Sequence, residues 1–131
     1  MDILSFLTIT PIYIAILGLL FIIFTLRVGL YRQKTKVSIG EGSDPELLRR
    51  IRGQGNFVET VPMALFLIVA MELMGASNIW LHALGIALVV GRTLHYLALT
   101  KIGPFVCRPI GMLATIGTIL VSSIWILVAS F

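Results

Sequence analysis

The chain has 131 residues, 58% hydrophobic and 12% charged, with a formal net charge of +4. With a mean hydropathy of +1.04, this composition makes it an integral membrane protein of one domain, 1–131, with nothing left over for a soluble one. No basic run is interleaved with aromatics as a strand-binding surface requires, so no nucleic acid is expected; the single cysteine, Cys107, excludes an internal disulfide and a CxxC pair, and no metal is expected.

Four apolar stretches, 3–26, 57–75, 79–99 and 110–131, each approach the ~20 residues a spanning helix needs. None alternates as a barrel strand does. The expected fold is all-α, an integral membrane four-helix bundle with helices over about 3–26, 46–75, 79–99 and 110–131. The first stretch begins Met1-Asp2 without a basic region and ends without a cleavage pattern. It is also too long for the apolar part of a signal peptide, so it is read as a retained helix, with Pro11 inside it.

The connection after it, Gly40-Glu41-Gly42-Ser43-Asp44-Pro45-Glu46, is turn-rich. Asp44 or Ser43 can cap the second helix, with Pro45 at its first position and Glu46 in its first turn. That helix carries Arg52-Gly53-Gln54-Gly55-Asn56-Phe57-Val58-Glu59-Thr60-Val61-Pro62. Arg52, Asn56 and Glu59 stand at i, i+4 and i+7, within about 60° of one another around a helix. A cation, an amide and a carboxylate share one stripe at the mouth of an apolar span. Ionisable groups are expensive there, so the stripe reads as a site for a polar ligand. Glu72 lies nearly opposite Glu59, near the other end, and is read as structural.

The third helix carries Arg92-Thr93-Leu94-His95-Tyr96-Leu97-Ala98-Leu99, with Arg92, His95, Tyr96 and Leu99 on one face. Gly85 and Gly91 read as helix-packing positions, and His82 as interfacial. The third connection holds Lys101, Cys107 and Arg108.

Charge gives the orientation. The first connection carries Arg27, Arg32, Lys34, Lys36, Arg49, Arg50 and Arg52, the third Lys101 and Arg108, and the second no charge. Lys and Arg stay on the cytoplasmic side, so both termini are expected outside and loops 1 and 3 inside. Arg52, Asn56, Glu59, Arg92, His95 and Arg108 then fall in one half of the membrane. Arg27 and Arg32, at the inner end of the first helix, can reach the rim. The carboxylate suits a ligand ammonium, and the arginines suit carboxylates. A zwitterionic, multiply carboxylated small molecule fits; spacing alone does not name it.

The motif Arg52-x-Gln54-x-Asn56-x-x-Glu59-x-x-Pro62, followed by Arg92-x-x-His95 and Arg108, resembles the MAPEG family, the membrane-associated proteins in eicosanoid and glutathione metabolism. Gly40-Glu41-Gly42 ahead of Glu46-Leu47 is similar to its small bacterial members, which implies a bacterial inner membrane. The resemblance implies a homotrimer with sites between neighbours, and glutathione as co-substrate. By position, Arg52, Asn56 and Glu59 would hold the glutathione backbone and charged ends. Gln54 would assist, and Arg92, His95 and Tyr96 would add to the pocket. Arg27 or Arg32 would meet a ligand carboxylate. Arg108 would face the sulfur as the catalytic group. Two positions depart from active relatives: Leu99 stands where a tyrosine is expected, and Pro109 where one branch has a serine.

Three functions remain open on this reading. The first is a glutathione transferase or peroxidase acting on hydrophobic small molecules or lipid hydroperoxides delivered from the bilayer. The second is a non-catalytic lipid-binding or scaffold protein of the same fold. The third, a small transporter, is disfavoured because the first helix holds no carboxylate between Asp2 and Arg27.

Overall fold

The computed structural model describes residues 6–131. Asp2 and the expected start of the first helix at residue 3 lie outside the described residues. Four helices follow in order: α1 Thr10–Thr35, α2 Pro45–Leu73, α3 Asn78–Leu99 and α4 Cys107–Ser130. All four are long and apolar enough to cross a membrane.

Where α1 begins and ends differs from the hydropathy boundary. Pro11 falls in its first turn, where a missing N–H costs nothing, so Pro11 starts the helix rather than interrupting it. At the other end the helix continues through polar residues as far as Thr35. Arg32 and Lys34 in the last turn complement the negative end of its dipole. It stops where Lys36 turns left-handed at φ 56°. Arg32 Nη1 then donates to the carbonyls of Val37 (3.3 Å) and Gly40 (2.7 Å), which folds the first connection back on the helix.

The 29 residues of α2 rise about 44 Å, well beyond the ~30 Å of a hydrocarbon core. Its first turns and the last turns of α1 therefore project together. Asp44 caps α2, accepting from the N–H groups of Glu46 (2.9 Å) and Leu47 (3.1 Å). The Leu47 N–H, more than any other donor, holds the Asp44 carboxyl below the usual carboxylate range, aided by the Glu46 N–H and the Tyr31 hydroxyl. Arg50 lies 4.3 Å over the Tyr31 ring and donates to the Arg27 carbonyl at 3.2 Å.

α1 and α4 flank the α2–α3 pair on opposite sides and make no close backbone approach among the described residues. Tyr13, Leu17 and Phe24 of α1 pack with Phe57, Val61, Ile68 and Met71 of α2 and with Leu81, Leu84 and Leu88 of α3. The α3–α4 contact is built from small residues. A Cβ on Gly91 would lie 2.8 Å from that of Ala114 and 3.0 Å from the Gly111 carbonyl oxygen. Such close backbone approach is how helices associate where burial from lipid offers no gain. Gly85 likewise leaves room for the Tyr13 ring, whose hydroxyl meets His82 Nδ1 at 2.7 Å. Large apolar side chains such as Leu19, Phe66, Leu113 and Val128 point outward, as a lipid-facing surface requires.

Glu72 closes the end of the bundle where α1 begins and α2 ends. Its carboxylate accepts from the backbone N–H groups of Thr8, Ile9 and Thr10, each at 2.7 Å. The first-turn donors of α1 are thus met by the last turn of α2, with a negative charge at the positive end of a helix dipole. We expect Glu72→Ala to destabilise the fold by about 2 kcal/mol, since it leaves buried N–H groups unmet. Glu72→Gln should cost less. Thermal unfolding in mild detergent checks both, and an unchanged midpoint for the alanine variant would remove the capping role.

Candidate functional site

At the end of the bundle where α3 passes into α4, a cavity of about 500 Å³ opens. Arg52 and Asn56 line it from α2, His95 and Leu99 from α3. Phe105, Arg108, Pro109 and Met112 complete it from the third connection and α4. The size is within the range of small-molecule sites. Two guanidinium groups, an amide and an imidazole face it, and no carboxylate does among the described residues. The electrostatics favour an anionic occupant.

Arg92 stands behind this wall rather than on it. It is 2% exposed, and its guanidinium reaches two neighbouring helices. Nε donates to Thr115 Oγ1 at 2.6 Å and Nη2 to the Gly111 carbonyl at 3.2 Å, both on α4. Nη1 donates to Asn56 Oδ1 at 2.6 Å and Thr60 Oγ1 at 3.1 Å, both on α2. All four acceptors are neutral, so the charge stays uncompensated beside the cavity and raises its positive potential. The bond also orients Asn56. A guanidinium only donates, so the amide oxygen must face it, leaving the amide N–H₂ for the cavity. Asn56 can therefore donate to a carboxylate or carbonyl there.

Gly111 allows α4 to cross close to α3 at His95: a Cβ there would lie 2.7 Å from the His95 backbone nitrogen. His95 is buried yet borders the cavity. Tyr96, its neighbour, turns the other way. Its ring stacks on Phe24 of α1 with centroids 3.6 Å apart and planes within 8°. Gly53 provides the room, since a Cβ there would lie 2.8 Å from the Tyr96 ring. Tyr96 thus does not line the cavity and does not replace a tyrosine at Leu99. Its hydroxyl is buried without a hydrogen-bond partner among the described residues.

Other residues expected at the site also lie elsewhere on this chain. Gln54 donates to Thr25 Oγ1 of α1 at 2.9 Å. Arg27 lies 5.7 Å over the Tyr96 ring, and Arg32 is spent on loop carbonyls. Glu59 continues the Arg52–Asn56 stripe but is exposed on the outer face of α2, without an ion pair among the described residues. The cavity therefore unites Arg52, Asn56, His95 and Arg108, and leaves out Gln54, Glu59, Arg92, Tyr96, Arg27 and Arg32. Sequence reading missed Thr60, Gly111 and Thr115 as partners of Arg92. The signal was present in the pairs Asn56/Thr60 and Gly111/Thr115, each four residues apart and so on one helix face.

Arg92→Lys should destabilise the protein by about 2–3 kcal/mol, because one ammonium cannot span acceptors on two neighbouring helices. Thermal unfolding in detergent measures this, and a midpoint equal to wild type would remove Arg92 as the clamp.

The chain is 36% identical over 88 residues to the inner membrane protein YecN of Escherichia coli (strain K12), covering 67% of each chain. It matches YecN of Escherichia coli O6:H1 (strain CFT073) to the same extent. Residues 10–128 match the family model described as the MAPEG family. That span takes in α1 to α3, α4 as far as Val128 and every residue around the cavity, and the chain belongs to the MAPEG family.

Proposed function

We propose that this protein binds glutathione in the inner membrane and uses its sulfur as a nucleophile toward hydrophobic acceptors. The observation that carries the reading is the single cavity joining Arg52, Asn56, His95 and Arg108. Its chemistry matches the carboxylates and peptide carbonyls of the tripeptide. The stripe from Arg52 to Glu59, which runs past the cavity, rises about 10 Å over seven residues of helix, and an extended tripeptide spans about 10 Å. Family membership supports the reading, since glutathione transferases occur in the family.

Glu59 is the one carboxylate on this face, and a lone exposed carboxylate within an apolar span calls for a partner. In our reading that partner is the ligand ammonium, held where a second copy of the chain closes the cavity from outside. Gln54, Arg27 and Arg32 are held by contacts within α1, α3 and the first connection of their own chain and take no part in this cavity. A homotrimer is the assembly that this arrangement serves.

An ordinary cysteine thiol ionises near about pH 8.5, so little thiolate exists at neutral pH. A guanidinium beside the sulfur stabilises the anion and enlarges that fraction. Arg108, at the cavity and the first turn of α4, takes this role. The thiolate pair forms a carbon–sulfur bond at an electrophilic carbon, and the leaving group departs with the broken bond's electrons. With a hydroperoxide, the thiolate attacks the terminal oxygen and the O–O bond breaks. The alkoxide takes a proton to give the alcohol, and a second glutathione converts the sulfenic acid to disulfide and water.

One observation favours a second reading, a non-catalytic lipid-binding or scaffold protein. Leu99 lines the cavity where a hydroxyl could assist the sulfur, and the nearest tyrosine, Tyr96, is held against Phe24.

Glutathione binding separates the two. Glu59→Ala should lose roughly 2–5 kcal/mol of binding by leaving the ligand ammonium unpaired. Arg108→Ala should lower turnover with a generic electrophile, and the ultraviolet thiolate signal with it, while changing affinity less. No glutathione binding by the wild type would overturn the enzyme reading. Binding without turnover or thiolate signal selects the scaffold. Native mass spectrometry should find about three subunits per particle, the assembly the resemblance implies. For topology, reporter fusions at Gly42 and Phe131 should mark opposite sides, with Gly42 cytoplasmic.

A further inference from the structure

One stripe of α1 leads from apolar, lipid-facing side chains to a cation. Leu19, Ile23, Leu26 and Leu30 are all exposed, and their spacing, continued by Lys34, puts them on one arc of the helix. Leu19 to Leu30 rises about 16 Å, close to half of a ~30 Å hydrocarbon core. Lys34 stands about 6 Å further on, the depth of a headgroup layer. Lys34 and Lys36 are exposed, and neither has an ion pair among the described residues.

The first connection is held at this level. Arg32 Nη1 donates to the carbonyls of Val37 and Gly40, so the segment between them lies back against the last turn of α1. Ile39 falls within that segment and is 88% exposed. The Lys36 side chain is not needed to close the helix, because the Lys36 and Val37 N–H groups both donate to the Arg32 carbonyl. Lys36 does this at φ 56°, a conformation that glycine adopts more cheaply. The neighbouring acids are mostly engaged. Asp44 caps α2 and accepts from the Tyr31 hydroxyl at 3.2 Å, and Glu46 holds Arg49 and Arg50. On this connection only Glu41 is left to set against Lys34 and Lys36.

The structure assigns this end of α1 as a site for one anionic phospholipid. The lipid phosphate meets the Lys34 and Lys36 ammonium groups, an acyl chain lies along Leu30, Leu26 and Ile23, and Ile39 enters the same interface. A lipid fits better than a soluble phosphate, because the cations continue an apolar stripe one leaflet deep, which only an amphiphile covers. Unpaired lysines at that depth are drawn to a negatively charged lipid surface. The site shares no residue with the cavity at Arg108 and does not depend on the glutathione reading.

Titration of the full chain in mild detergent with dioleoyl phosphatidylglycerol or dioleoyl phosphatidylcholine, read by native mass spectrometry, tests the site. The first phosphatidylglycerol should bind about 25-fold more tightly than the first phosphatidylcholine, since each lysine near a charged headgroup is worth about fivefold. Lys34→Gln and Lys36→Gly should each lower that preference about fivefold, and Lys34→Arg should keep it. Lys101→Gly removes a charge from the third connection at a matching φ of 59° and should leave the preference unchanged. Equal affinity for the two lipids overturns the site, as does a preference that survives in the Lys34→Gln/Lys36→Gly double variant. A preference reduced as much by Lys101→Gly also overturns it, because net charge then draws the lipid rather than these residues. Displacement of phosphatidylglycerol by an equal concentration of glycerol phosphate assigns the cations to free phosphate and overturns the lipid as occupant.

Discussion

The Arg92 guanidinium, buried among three helices and satisfied only by neutral oxygens, is the constraint on which the inner half of the molecule depends. Its reach requires α4 to come close, and Gly91 and Gly111 supply the missing side chains that allow it. Its acceptors on α2 must sit one turn apart, and Asn56 and Thr60 do so. In return it fixes which end of the Asn56 amide faces the cavity. A charge buried without a counter-ion is expensive. Here part of that cost becomes a positive potential beside Arg52 and Arg108, where an anion can use it.

The opposite end of the bundle is organised by the opposite charge. Glu72 gathers three backbone donors at the start of α1, and the Tyr13–His82 bond ties α1 to α3 nearby. Acid at one end and unpaired base at the other give the bundle a polarity that suits a membrane with a cytoplasmic preference for Lys and Arg. The extra length of α1 and α2 falls at the basic end. There Arg50, Tyr31 and Asp44 pack two projecting helix ends into a rim. Glu59 is exposed beyond the cavity on the same stripe of α2.

Much of this was legible in the residues. Four spans follow from hydropathy, because lipid leaves the backbone no partner but itself. The Asp44 cap follows from a short carboxylate ahead of Pro45, and a structural role for Glu72 from its place opposite Glu59. Arg52, Asn56, His95 and Arg108 were placed in one half of the membrane by charge and spacing, and the fold brings them around one cavity. The end of α1 was less legible. Hydropathy reports where lipid ends, whereas a helix ends where its backbone turns, and Lys36 turns it well outside the apolar run.

What the sequence alone determined is the set of arcs: which residues share a helix face and which end of the bundle they occupy. It did not determine where each side chain goes within its arc. Arg92, His95 and Tyr96 share one face of α3, yet they serve α2 and α4, the cavity, and α1 respectively. A helical repeat of about 100° per residue makes such an arc wide enough to border three neighbours. Only the packing chose among them, because Gly53 and Phe24 draw Tyr96 one way while Gly111 and Thr115 draw Arg92 the other.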